Sequence, residues 1–155
     1  MVIKDKDGRV ISDTKQERLG HKRYLGSLIA QHEPADPTLS AVLRSYQAAV
    51  NDPDNFLIHL YEIRDALKKR FGHEKNAIAH IGISNNRWRE LGILADSQPL
   101  RQGRHRGSHA GNLRNATKEE TDKAYSIARE MIEKYLTYLE NDQNSRQLTM
   151  SSNNE

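Results

Sequence analysis

The chain contains no cysteine. That excludes a disulfide scaffold, a thiol nucleophile and any thiolate metal site. No apolar run approaches the roughly 18 residues of a membrane span. The segment Met1 to Arg9 alternates in charge and has no apolar core of the signal-peptide kind. A soluble, cytoplasmic protein with no membrane partner is the expectation. Apolar residues are scarce at 35%. Adding the 9 glycines still leaves the chain below the globular average of about 45–50%. The core must be modest, with long polar faces around it. Strong charge of one sign is also missing: 24 basic against 21 acidic side chains give +3, too little to announce a nucleic-acid binder. At 155 residues there is room for one domain and little for a second core.

What is present reads as helices. Near the start, Val2-Ile3 and Val10-Ile11 flank an Asp7-Gly8 turn signal, which predicts a small hairpin or arm. Two strands alone are marginal, so they must lean on the body. Thr14 to Gln31 reads as a short helix, interrupted or bent near Gly20 and Gly26. Pro34 and Pro37 break it. Leu39, Val42, Leu43, Tyr46 and Val50 then follow a helical period. Asp52 and Pro53 end that helix and suit the cap and first position of the next. Phe56, Leu60, Ile63, Leu67 and Phe71 form one stripe, widened by Leu57 and Tyr61. Cationic Lys68, Lys69 and Arg70 suit its last turn, and Gly72 closes it.

A shorter helix is expected over Glu74 to Ile81. Another, capped by Ser84, runs through Trp88, Leu91, Leu94 and Ala95. Thr117 and Glu120 make a capping box that opens a long amphipathic helix. Its expected buried face is Ala124, Ile127, Ala128, Met131, Ile132, Tyr135 and Leu139. The fold class is therefore all-α: an antiparallel bundle of four to five helices with a small N-terminal β-hairpin or arm. Three parts are expected. Residues 1–37 hold the arm and a short helix, 38–140 the bundle, and 141–155 a disordered tail.

Resolving charge by segment is more informative than the total. Residues 87–116 carry six basic and two acidic side chains, and 117–155 carry five and eight. The six basic residues are all arginine: Arg87, Arg89, Arg101, Arg104, Arg106 and Arg114. Arginine presents a planar fork that matches phosphate oxygens. His105 and His109 lie in the same stretch, which has almost no large apolar side chain after Leu100. A solvated loop with incidental charge is the plain reading, and a site is the other. Gly103, Gly107 and Gly111 recur every fourth residue. In a helix they would share one side and permit a close helix contact. In a loop they give flexibility.

These residues resemble a known family. Arg104 and His109, with four residues between them, match the signature of Arg, four to six residues, then His of the HEPN superfamily (higher eukaryotes and prokaryotes nucleotide-binding). A polar residue often follows the Arg there, and His105 does so here. The surroundings look like a HEPN domain of bacterial defence or abortive-infection type. A helix like Phe56–Phe71 precedes a Trp-bearing segment like Asn86–Ala95, and a helix like Lys118–Leu139 follows the motif. The resemblance covers about residues 39 to 140, and the N-terminal hairpin is not part of it. It implies a HEPN-like bundle, a homodimer and, in active members, metal-independent RNA cleavage at a site composed from two subunits. The implied catalytic residues are Arg104, His105 and His109, with Arg101, Arg106 and Arg114 on the RNA backbone. The implied cleavage leaves a 2′,3′-cyclic phosphate. The implied setting is a toxin or phage-defence effector, with an antitoxin or regulatory protein as a further partner. The alternative is a non-catalytic HEPN-like module that binds nucleic acid or protein. A bare dimerisation scaffold is a third.

Elementary chemistry is compatible with cleavage. Cutting RNA without a metal uses the ribose 2′-OH as nucleophile. A proton must leave that oxygen and another must reach the departing 5′-oxygen, and histidine suits both tasks. A fixed cation must stabilise the phosphorane, which suits arginine. Residues five apart on one helix diverge by about 140°. Arg104 and His109 therefore converge only if the chain loosens near Gly107 or a second subunit completes the site.

No metal and no cofactor are expected. His105 and His109 have the spacing of some helical metal sites but lack a third ligand nearby. His59 is expected mid-helix beside the apolar stripe, on the polar face or its boundary, His73 and His80 at helix ends, and His21 and His32 at the surface. Trp88 is expected in the core, with base stacking as the other role. Glu62 is expected to be exposed, with an ion pair to a motif arginine as the other option.

Overall fold

The computed structural model describes residues 2–4, 6 and 10–153. Val2–Lys4 (β1) and Val10–Asp13 (β2) pair antiparallel, with an irregularity between Ile3 and Lys4. The expected Asp7-Gly8 turn lies outside the described residues. Among the described residues, everything after β2 is helix or connection, apart from an isolated β-bridge between Leu100 and Arg114. Among the described residues there are six α-helices: α1 (Thr14–His32), α2 (Pro37–Asn51), α3 (Phe56–Phe71), α4 (Glu74–Ile81), α5 (Asn85–Gly92) and α6 (Lys118–Ser152). The protein is all-α in its body. No helix among the described residues is long and apolar enough to cross a membrane.

Helix α1 departs from expectation by running unbroken through Gly20 and Gly26. Both glycines face open space, so they weaken the helix without interrupting it. Only Leu28 of this helix is buried. Polar contacts hold it along α6: His32 meets Glu140 at 2.8 Å and Gln31 meets Gln143 at 2.7 Å. His32 is thus largely covered, not a surface residue, with 10% of its side chain exposed.

A three-residue turn, Pro53–Asn55, joins α2 to α3, and the two helices pack along each other. The α2 stripe buries Leu39, Val42 and Ala49, whereas Val50 is about half exposed. The expected Val50 gives way to Ala49, whose small side chain fits where the helices approach closely. Phe56, Leu57, Leu60, Ile63 and Leu67 of α3 are buried. Gly72 ends α3 at φ 92°, a backbone state that favours glycine. Asp52 does not cap α3. Its carboxylate binds the side chains of Asn55 and His59 instead.

Helix α6 lies against all five other helices and supplies one wall of the core. Its capping box forms as expected, with Thr117 and Glu120 each bonding the other's backbone N–H. The predicted face is buried, together with Leu136. The helix continues to Ser152, where the sequence suggested disorder from 141. Residues 141–152 contain no glycine or proline, and extending an existing helix is far easier than starting one. Leu148 and Met150 on that extension remain exposed.

One polar contact fixes α6 to the start of α2. The buried Tyr135 hydroxyl donates to Asp36 at 2.9 Å, and Asp36 also accepts from the Leu39 N–H at 2.8 Å as the α2 cap. Burial raises the Tyr135 phenol well above its ordinary pKa, so it stays a donor. Tyr135→Phe should lower stability by about 2 kcal/mol, the scale of a hydrogen bond to a charged group. Urea unfolding measures it, and an unchanged midpoint would show that the contact contributes nothing.

Candidate functional site

Beyond α5, which carries Arg87 and Arg89, the arginine-rich stretch is not an α-helix. After α5 the chain makes a wide π turn at Ile93–Ser97, then leaves the helix. Leu100 is buried and anchors the departure. The two ends of the loop are tied by backbone bonds: the Arg101 N–H donates to the Arg114 carbonyl and the Arg114 N–H to that of Pro99, both at 2.9 Å. Gln102 bridges onward, accepting from the Ala116 N–H at 3.0 Å.

The shortest backbone hydrogen bond of the loop is at the helix end. The last carbonyls of a helix have no partner within it. That of Ala95 is met by the Arg104 N–H at 2.7 Å. Gly103 makes this possible, because a Cβ there would sit 2.9 Å from the same oxygen. The every-fourth-residue glycines therefore do not share a helical side. Gly107 faces open space within a single 3-10 turn, Arg106–His109, and Gly111 takes φ 89°.

This docking presents Arg104 and His105 to one carboxylate. Asp96, in the π turn, accepts from Arg104 Nη1 at 3.0 Å and lies 3.4 Å from His105 Nε2. The negative end of α5 favours cations at this spot. The Arg104 guanidinium also lies over the Tyr61 ring, 3.9 Å from its centroid, a cation–π contact. Arg64 approaches the same ring at 4.9 Å. It donates to Glu74 at 2.6 Å and to the Trp88 carbonyl at 3.3 Å. Burial raises the Tyr61 hydroxyl above its ordinary pKa, against the pull of Arg64. Trp88 is buried, and its indole N–H donates to Glu74, so it is a core residue and not a stacking platform.

His109 is not joined to that cluster. It is half-buried and has no side-chain hydrogen bond or ion pair among the described residues. The other three arginines differ in kind. Arg101 is exposed and has no side-chain partner among the described residues. Arg106 Nη2 donates to Asn55 Oδ1 at 2.5 Å. Asn55 in turn donates to Asp52, which meets His59 at 2.9 Å. That chain pins the loop to the α2–α3 turn. The bond from His59, then that from Asn55, lowers the Asp52 pKa. Arg114 is held by both carboxylate oxygens of Glu120, at 2.6 and 2.9 Å.

Glu62 accepts from Ser45 and meets no motif arginine. His21 is exposed, as expected, whereas His73 and His80 serve structure. His73 caps α4 through the Asn76 N–H, and His80 stacks on Phe71 at 4.8 Å. No group of three potential metal ligands occurs among the described residues.

Asp96, Tyr61 and Asn55 are the site residues that sequence reasoning missed. Asp96 left a signal: it and Glu90 are the only acids in the cationic stretch 87–116. Tyr61 and Asn55 left none, since both read as parts of α3 and its approach.

The Arg114 bond pulls the Glu120 pKa down to about 2 from 4.5. A depressed carboxylate stabilises the fold above its unfolded pKa and loses that contribution as pH falls through the folded value. The stability difference between the parent and Glu120→Gln should therefore be full above pH 4.5 and shrink towards pH 2. Unfolding midpoints across that window test it, and a constant difference would contradict it. No family model, curated protein or solved structure matches this chain.

Proposed function

We propose that this chain is a HEPN-type, metal-independent endoribonuclease that works as a homodimer, in the setting of a toxin or defence effector. The observation that carries the reading is the convergence of Arg104 and His105 on Asp96 at an exposed loop of the bundle. Asp96 and Tyr61 fix the guanidinium while leaving most of its five donors for other partners. It can then hold a phosphate and stabilise the phosphorane. His105, with 54% of its side chain exposed, is placed to position that phosphate or a proton.

Among the described residues His109 has no competing side-chain partner, and it is the acid–base group in this reading. The ribose 2′-OH gives up its proton as its oxygen attacks phosphorus, the bond to the 5′-oxygen breaks, and that oxygen is protonated. Acid and base need not come from one chain. Within one chain His109 has no tie to Arg104, so a second copy facing the loop would complete the site. Arg101 and Arg106 would contact the RNA backbone, with Arg114 supporting the loop through Glu120. An antitoxin or regulatory protein would act on the same surface. The alternative is a non-catalytic HEPN-like module that binds nucleic acid or protein. It draws on the same His109, which has no side-chain partner to orient it.

His109→Ala and Arg104→Ala should each lower cleavage of RNA in EDTA by about 100-fold or more, with the fold intact. The parent should leave 2′,3′-cyclic phosphate ends. Cleavage unchanged in both variants would overturn the reading. RNA binding without any cleavage by the parent would favour the non-catalytic alternative.

A further inference from the structure

An open cleft of about 440 Å³ lies between α3, α4, α5 and the π turn. That volume is in the range of small-ligand sites, about 300–1,000 Å³. It borders the Arg104 cluster directly, because Asp96 and Tyr61 line it. Its carboxylates are already engaged: Asp96 by Arg104, and Glu74 by Arg64 and the Trp88 indole. Two of its cations are not. Lys75 on α4 and Arg89 on α5 are exposed and have no side-chain partner among the described residues. Ile93 adds an apolar wall that is 40% exposed. Uncommitted cations beside an apolar face are the chemistry of a phosphate joined to a planar base.

We propose that this cleft seats the RNA nucleotide adjoining the phosphate held by Arg104. Its phosphate lies on Lys75 and Arg89, and its base lies against Ile93. This deepens the nuclease reading and rests on it. The strand runs from the Arg104 loop across Tyr61 into the cleft. Lys75 and Arg89 are binding residues here and take no part in proton transfer.

The test uses a 2′-O-methyl RNA trinucleotide, which lacks the nucleophile and cannot be cleaved. Trp88 is the only tryptophan, and its partners Arg64 and Glu74 line the cleft, so its fluorescence reports occupancy. The trinucleotide should bind about tenfold more tightly than adenosine 5′-monophosphate, which in turn should outbind inorganic phosphate. The double variant Lys75→Gln, Arg89→Gln should bind the trinucleotide about tenfold more weakly. Its affinity should also fall less steeply with salt, the slope shrinking by about 0.7 for the one single-strand phosphate that both cations hold. Unchanged affinity and slope in the variant would overturn the proposal. So would a mononucleotide that binds more tightly than the trinucleotide, which would make free nucleotide the ligand, or phosphate alone matching either. Trinucleotide binding lost in the variant, with no cleavage of unmodified RNA by the parent, would overturn the nuclease reading and leave the cleft in place.

Discussion

The Arg104 N–H reaches the Ala95 carbonyl at 2.7 Å because Gly103, one residue earlier, has no side chain. The geometry of the site follows from that approach. Ala95 is buried in the π turn after α5, and its carbonyl needs a partner. Satisfying it from the loop sets the position of the Arg104 backbone. The guanidinium then falls beside Asp96 and over Tyr61, and His105 follows on the same side. One satisfied helix end thus brings a loop residue, a turn residue and an α3 residue to a common point.

The rest of the loop has little apolar surface to bury after Leu100. It is held by polar ties to three places: Arg106 to Asn55 at the α2–α3 turn, Arg114 to Glu120 at the start of α6, and Gln102 to the Ala116 backbone. An exposed ion pair contributes about 0–1 kcal/mol and a single hydrogen bond about 0.5–1.5 kcal/mol, so no one of these ties holds the loop by itself. Such a segment opens more readily than the packed helices beneath it. That suits a surface that must receive a partner, while the docked backbone keeps Arg104 in place.

Much of the bundle was legible in the sequence. The α3 stripe and the α6 face follow a helical period because one side of each helix is buried, and the Thr117–Glu120 box is a local device. Caps and periods need only neighbouring residues. The path of the loop does not. Nothing local says that the Arg104 N–H will find the Ala95 carbonyl, or that Asp96 will meet a cation eight residues on. Tyr61 was read as core stripe, and only the tertiary structure turns its ring towards Arg104. The continuity of α1 and the length of α6 escaped for a different reason. Glycines facing solvent and a polar tail without helix breakers cost a helix little once it is anchored elsewhere.

The measurement that bears most directly on this account is amide hydrogen exchange on Gly103→Ala. A Cβ at that position would press on the Ala95 oxygen, and such overpacking costs about 1–3 kcal/mol. The Arg104 amide should lose protection by about tenfold or more, while the amides of Leu60 and Ile63 in the core keep theirs in proportion to global stability. If Arg104 remains as protected as in the parent, the close approach of Gly103 to Ala95 does not hold the site together.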